Sequence, residues 1–455
     1  MAQVYPFRAF RFNPAHAPFE KVLTQPYDKI SPQMQEKYYA SDPHNLIAVE
    51  KGRAQAEDAA GNNVYTRAAE ALGQWIRSGT VTQDPEASFY AYTQDYTVPA
   101  TGEKLTRRGF IGAGQLEVYS AGIVYRHEHT LTGPKADRLE LLRHTRMSTG
   151  QLFLLYTDPQ RRIDEMLAKV EAADSPVTEM RDEYGVRHCL WAVGEPDMVA
   201  AIQEAMAKQK LVIADGHHRY ETALNYRNER RASAGKPIAD APYERAMMSF
   251  VNTANTGLTI LPTHRVVSKL REFNWAEVRR HLEPWFTSES IAFSEEDGKA
   301  GARAKFMNAL GESRRKARTI GAYPTAENQA RAFYLLTLRE GVDLALLLPR
   351  VSPLQRELDV VLLHEGILEP ALGITPQSVS AEANLSYERE AAAAMDAVDG
   401  GEAQIAFFLN ACEVEQVMKI ALAGEVMPQK STDFYPKLLS GITMYRVDDR
   451  DGENI

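Results

Sequence analysis

The segment that most constrains the fold is the apolar run Lys210-Leu-Val-Ile-Ala214, which ends abruptly at Asp215-Gly216. Tyr220, Ala223, Leu224 and Tyr226 then recur at helical spacing. A buried strand, a tight turn at a glycine and a helix must follow one another here. Such a unit can bury its apolar faces only by laying the helix on a sheet, so an α/β chain is expected, with α+β mixing elsewhere.

The rest of the chain fits that expectation. Residues 64–78 show helical spacing through Ala68, Leu72, Trp75 and Ile76 and stop near Gly79. Residues 88–93 and 109–113 alternate as sheet strands, and 46–49 is a further strand candidate. Residues 134–147 open on a proline and read as a helix, and 151–156 follow as a buried strand. Residues 196–209 form another helix. Residues 332–348 read as a hairpin, with helical runs near 357–369 and 413–424. The Glu-, Lys- and Arg-rich stretch 294–332 reads as a solvated helical excursion. With 455 residues, more than one core is expected, and the composition shift at that stretch places the boundary between residues 290 and 291.

Composition narrows the functions. A net charge of −9 argues against broad nucleic-acid or membrane-surface binding, though not against a local basic pocket for a small anion. The apolar stretches, such as Leu344 to Leu348, are too short to span a bilayer. The N-terminus shows no basic region followed by an apolar run. Cys189 and Cys412 stand far apart in no metal-binding pattern. A cytoplasmic protein is expected, with no nucleic-acid or membrane partner and its oligomeric state open.

Asp215-Gly216-His217-His218-Arg219 concentrates a carboxylate, two imidazoles and a guanidinium at the strand-to-helix turn. Gly216 permits a tight turn or close approach to a ligand. The helix start favours an anion, and Arg219 can grip phosphate or carboxylate in a bidentate fork. Either histidine can exchange protons near neutral pH. The plainer alternative is that Asp215 only caps the helix. His217 and Glu221, at i, i+4, also allow a metal reading, although no HExxH frame is present.

A second polar cluster, Arg126-His127-Glu128-His129-Thr130 with Lys135, Asp137 and Arg138, joins a strand to a helix. His127 and His129 would share a strand face, so a metal and a solvated loop both remain open there. Near the C-terminus, residues 424–431 approach a phosphate-loop pattern but fail it. Gln429 replaces the second glycine, Pro428 removes a donor, and the segment follows a helix. Lys430, Ser431, Thr432 and Lys437 still form a compact anion-binding set. Tyr27-Asp28 and His264, each beside a proline in a loop, are weaker candidates. No GxGxxG after a strand, no kinase HRD or DFG, no GxSxG and no paired CxxC is present.

Five segments together resemble the bacterial and archaeal family known as domain of unknown function 1015. They are residues 25–31, 126–130 with Asp137-Arg138, 213–224, 257–265 and 427–437. The Asp-Gly-His-His-Arg core in turn looks like the phosphate-binding motif of the ParB/sulfiredoxin-like superfamily. That superfamily includes kinases that phosphorylate free L-serine with ADP, ATP or pyrophosphate. The resemblance implies a ParB/sulfiredoxin-like core with additional mixed sheet and helical regions. It implies that Asp215, His217, His218 and Arg219 hold the donor phosphates and the transferred group. The catalytic glutamate of those kinases precedes the motif, at no position these segments identify.

Phosphoryl transfer needs mainly positioning and charge neutralisation. The expectation is a serine kinase making O-phospho-L-serine from pyrophosphate or a nucleotide, with Mg²⁺ and no organic cofactor. A metal-dependent phosphatase and a non-catalytic phosphate- or nucleotide-binding regulator are the alternatives.

Overall fold

Nine strands form the first sheet: β1 (Val4–Tyr5), β2 (Phe89–Thr97), β3 (Lys104–Gln115), β4 (Val124–Tyr125), β5 (Leu152–Tyr156), β6 (Thr178–Arg181), β7 (Arg187–Val193), β8 (Leu211–Asp215) and β9 (Arg245–Asn252). Their order is β4-β8-β5-β9-β3-β2-β7-β6, and β1 pairs with β3. The sheet is mixed: β8 runs parallel to β4 and antiparallel to β5, while β9 runs parallel to β5. The computed structural model describes residues 1–99, 101–128, 132–238, 240–293, 298–314, 316–325, 331–380 and 383–448.

Side chains alternate across this sheet as strand geometry requires. Leu152, Leu154 and Tyr156 of β5 join Leu211 and Ile213 of β8 in one buried cluster. Ile163, Leu167 and Val170 of α3 (Arg162–Ala173), Ile202 and Met206 of α4 (Pro196–Met206), and Tyr220 and Leu224 of α5 (His217–Ala234) cover it. The intervening Phe153 turns to the other face and meets Phe434 edge-on, with ring centroids 5.5 Å apart. Helix α1 (Val64–Arg77) starts at an Asn63 capping box, and α2 (Thr132–Thr145) packs on both α1 and α5.

The second sheet has the order β11-β13-β12-β15-β10-β14, from β10 (His264–Val267), β11 (Phe286–Ala292), β12 (Thr319–Pro324), β13 (Ala332–Leu338), β14 (Leu385–Glu388) and β15 (Ile405–Phe408). Phe306 and Leu310 of α6 (Gly298–Ser313) and Met395 and Val398 of α7 (Ala391–Asp399) pack with Phe333 and Phe408. The chain is therefore a mixed α/β protein.

It divides into two compact units, Met1–Thr259 with Phe434–Ile455, and Ile260–Asp433. The expected 290/291 boundary differs from this. The composition shift at 294 marks helix α6 inside the second unit, and a C-terminal segment that rejoins the first unit leaves no trace in a linear scan. Three local readings also change. Residues 46–49 belong to a helical turn, Ile47–Glu50, because the Asn45 side chain accepts the Ile47 N–H at 2.9 Å. The second arm of the expected 332–348 hairpin is instead the helical turn Leu344–Leu347, capped by Asp343. Strand β13 pairs with β11 and β12. The 294–332 stretch contains helix α6 and also the buried strand β12.

Candidate functional site

Strand β8 breaks register with β5 between Ile213 and Asp215. The bulge leaves Ala214 without a ladder partner and pairs Asp215 with Phe153 at the end of the strand, next to the helix start. Gly216 is the N-cap of α5, with φ 92° in the left-handed region, and no side chain caps the helix. Asp215 stands one residue before the N-cap, and Gly216 has no side chain to cap the helix start, where backbone donors and the helix dipole suit an anion.

Asp215 is instead the centre of a cation cluster. Arg219 Nη2 lies 3.2 Å from Oδ2 and Lys437 Nζ lies 3.5 Å from Oδ1. Burial works against its charge, yet Lys437, Arg219 and Lys29 hold the carboxyl well below the usual carboxylate range. Lys437 reaches it because its segment is pinned to the sheet. Arg107, 1% exposed, donates to the Tyr435 carbonyl at 3.2 Å and the Pro436 carbonyl at 2.5 Å. Gln94 donates to the Lys437 carbonyl at 2.8 Å. Arg107 has no carboxylate partner among the described residues and lies 4.7 Å over the Phe153 ring. Burial lowers its pKa to about 10, which leaves it charged at neutral pH.

Arg219 also donates from Nη1 to the Gln151 carbonyl at 2.6 Å. A methyl on Gly150 would lie 2.9 Å from that nitrogen, 3.2 Å from Ser440 Oγ and 3.6 Å from Glu50 Oε1. Glycine keeps this corner open. On that side Arg219 borders a cavity of about 70 Å³ lined also by Glu50, Arg138, Ser148, Thr149 and Ala223.

The histidines divide. His127 is fully buried and its Nδ1–H donates to the Ile213 carbonyl at 2.6 Å. Its backbone N–H donates to His217 Nε2 at 3.4 Å, and the two rings meet edge-on at 4.7 Å. Burial holds both neutral, pushing His127 down to about 4 and His217 well below the usual imidazole value. His217 thus ties the strand-end loop to the helix start. His218 is half-buried, its pKa lowered by burial, with Glu128, Lys135, Glu221 and Asp28 in electrostatic reach.

The flanking residues join the same neighbourhood. Lys135 and Arg126 pair with Glu221 at 2.8 and 3.7 Å. Arg138 pairs with Asp137 at 2.7 Å, donates to the Glu50 carbonyl at 2.9 Å and lies 4.4 Å over the Tyr27 ring. Tyr65 donates to Asp137 at 2.9 Å. Burial pushes the Tyr27 hydroxyl up to about 12, with Arg219, Asp28 and Arg138 acting on it. His129 and Thr130 lie outside the described residues.

The remaining candidates sit in the second unit. His264 is buried against Phe408, accepts the Leu409 N–H at 3.4 Å and is held near pKa 4 by burial. Ser431 donates to the Pro428 carbonyl at 2.5 Å, and Arg265 donates to the Lys430 carbonyl at 3.1 Å. Thr432 follows in the same segment.

Sequence reasoning missed Glu50, Arg107, Lys29 and Gly150. Only Lys29 had a signal, its place beside Tyr27-Asp28.

Among the described residues no three His, Cys, Asp or Glu side chains group to hold a metal. Glu221 and His217, the i, i+4 pair, are turned to other partners. Mg²⁺ makes a lighter demand, one or two carboxylates plus substrate phosphates, and Asp28 and Glu128 near His218 fit it.

These features define a mixed α/β protein with a polar, charged cluster at a strand–glycine–helix turn. The chain belongs to the family of proteins of unknown function DUF1015, which matches residues 4–361. No curated protein matches it. Among solved structures it is similar to a conserved hypothetical protein from Pyrococcus furiosus, at 14% identity and a TM-score of 0.32, over 72% of this chain and 92% of that one. A free serine kinase in complex with AMP is similar at 14% identity and a TM-score of 0.33, over 72% and 88%. The SbnI protein of Staphylococcus aureus, truncated at its C-terminus, is similar at 9% identity and 0.32, over 72% and 85%. No helix among the described residues is long and apolar enough to cross a membrane.

Proposed function

We propose that this protein is a phosphotransferase, a free L-serine kinase that makes O-phospho-L-serine from pyrophosphate or a nucleotide. The observation that carries the reading is the gathering of Arg219, Lys437 and Lys29 about Asp215 at an uncapped helix start. In a chain of net charge −9, three cations gathered about one carboxylate at a helix start suit a polyanionic ligand.

Donor phosphates would rest on the first-turn amides of α5 and on Lys29, Arg219 and Lys437. Asp215 positions the two cations it pairs with, and His217 fixes the turn. The serine oxygen forms a bond to the terminal phosphorus while the bridging P–O bond breaks, and the leaving phosphate takes the bond's electrons. The hydroxyl proton passes to His218, which is neutral near pH 7 because burial depresses its pKa. Mg²⁺, held by donor phosphates with Asp28 or Glu128, would neutralise charge on the donor.

A donor-by-acceptor screen read by phosphorus NMR tests this. Phosphoserine formed from pyrophosphate, ADP or ATP is the expected result. Hydrolysis of a phosphomonoester without any phosphoserine would make the protein a phosphatase. Saturable phosphate or nucleotide binding without turnover would make it a regulator.

A further inference from the structure

The cavity behind Arg219 is not lined by Asp215, His217, His218, Lys29 or Lys437. Its volume, about 70 Å³, amounts to roughly five water-sized spheres, too little for a nucleotide. Leu141, Met147 and Ala246 give it apolar walls, and Glu50 is the only carboxylate in its lining. Glu50 is 2% exposed. Its Oε1 accepts from Ser440 Oγ at 2.9 Å and its Oε2 from Thr149 Oγ1 at 2.5 Å. No cation pairs with it among the described residues: of the three guanidiniums in the lining, Arg219 is held by Asp215 and Gln151, Arg138 by Asp137 and a backbone carbonyl, and Arg245 by Asp240 at 3.1 Å.

Two neutral hydroxyls compensate a buried carboxylate only in part, and each oxygen retains room for another donor. We infer that this cavity binds a small primary ammonium compound, with the ammonium against Glu50 and any hydroxyl towards Arg219. Arg219 borders the cavity and pairs with Asp215, so a hydroxyl at that end would face a phosphoryl donor held by the Asp215 cluster. The acceptor class is then an amino alcohol or hydroxy amino acid, a step that rests on the phosphotransferase reading, whereas the ammonium site does not. Glu50 on this account holds substrate and is not the proton acceptor.

Calorimetric titration of the full chain with ethanolamine, L-serine, 3-hydroxypropionate and pyrophosphate tests it. Ethanolamine and L-serine should bind, and 3-hydroxypropionate, which lacks the ammonium, at least about 10-fold more weakly. Glu50→Gln should weaken both amines by about 10- to 100-fold, the worth of one charge-assisted hydrogen bond, and leave pyrophosphate binding unchanged. Ala223→Leu, which fills the cavity from α5 with Glu50 intact, should also weaken the amines. Equal affinity for 3-hydroxypropionate and ethanolamine overturns the inference. So does unaltered amine binding in Glu50→Gln, even with turnover abolished, because Glu50 would then be a base. Failure of pyrophosphate binding and of phosphoserine formation, with Glu50-dependent amine binding retained, would sink the phosphotransferase reading and leave the ammonium site standing.

Discussion

Arg219→Lys separates charge from geometry at the centre of the site. Arginine spans two partners, the Gln151 carbonyl at 2.6 Å and Asp215 at 3.2 Å, while bordering the cavity with the same guanidinium. Lysine keeps the positive charge but is a point donor without the planar fork, so it cannot hold both partners and also face a transferring phosphoryl group. Losing one preorganised donor at developing charge costs about 2–4 kcal/mol of barrier, or roughly 30- to 1,000-fold in kcat/KM. The fold is affected separately. A Gln151 carbonyl left without its donor costs about 1–3 kcal/mol of stability, which lowers Tm by several degrees but leaves a folded protein. Phosphoserine formation followed by phosphorus NMR, with Tm measured on the same preparation, resolves the two effects. A Lys variant within about threefold of wild-type kcat/KM would refute the bidentate role.

Gly150→Ala puts a methyl 2.9 Å from Arg219 Nη1. Since the backbone there is not left-handed, kcat/KM should fall about 10-fold or more while Tm falls no further than in Arg219→Lys, and unchanged kcat/KM would count against the idea. Arg107→Met leaves the carbonyls of Tyr435 and Pro436 without donors and frees the segment that carries Lys437. Stability should fall by about 2–4 kcal/mol, and KM for the phosphoryl donor should rise in whatever protein remains folded. An unchanged donor KM in soluble variant would argue that Lys437 takes no part. Buried neutral histidines predict acid lability. His127 and His264 titrate near 4 when folded and near 6.5 when unfolded, so their contribution is full above pH 6.5 and is lost as pH falls towards 4. Each is worth up to about 3 kcal/mol, and urea melts showing constant stability from pH 7 to 5 would contradict this.

How much of the site the sequence exposes follows from how far apart its parts lie in the chain. Strand β8, Gly216 and the opening of α5 were legible because a period change and a glycine act within ten residues. The cluster from Arg126 to Arg138 was legible as polar density, though its internal pairing with Glu221 was not. Glu50 escaped because Leu46-Ile-Ala-Val49 fits strand and helix equally well over four residues, and only the Asn45 cap decides it. Read as strand, the segment ends before its one buried carboxylate. Arg107 left no signal at all. A guanidinium within an alternating strand reads as solvent-facing, and its burial depends on backbone carbonyls 328 and 329 residues later.

That long-range tie also explains a mixed outcome near the C-terminus. Lys430, Ser431, Thr432 and Lys437 look like one anion-binding set in sequence, yet the unit boundary passes between Asp433 and Phe434. Phe434 packs on Phe153 and the next two carbonyls bind Arg107, so the chain commits to the first sheet only there. Lys437 is brought to Asp215 by those contacts and not by its neighbours in sequence. Arg107, with no carboxylate of its own, therefore does for Lys437 what Asp215 does for Arg219: it fixes where a positive charge can stand. Beyond the Asp215 carboxylate they share, Arg219 and Lys437 depend on different backbone anchors, and substitutions at Gly150 and Arg107 should impair them separately.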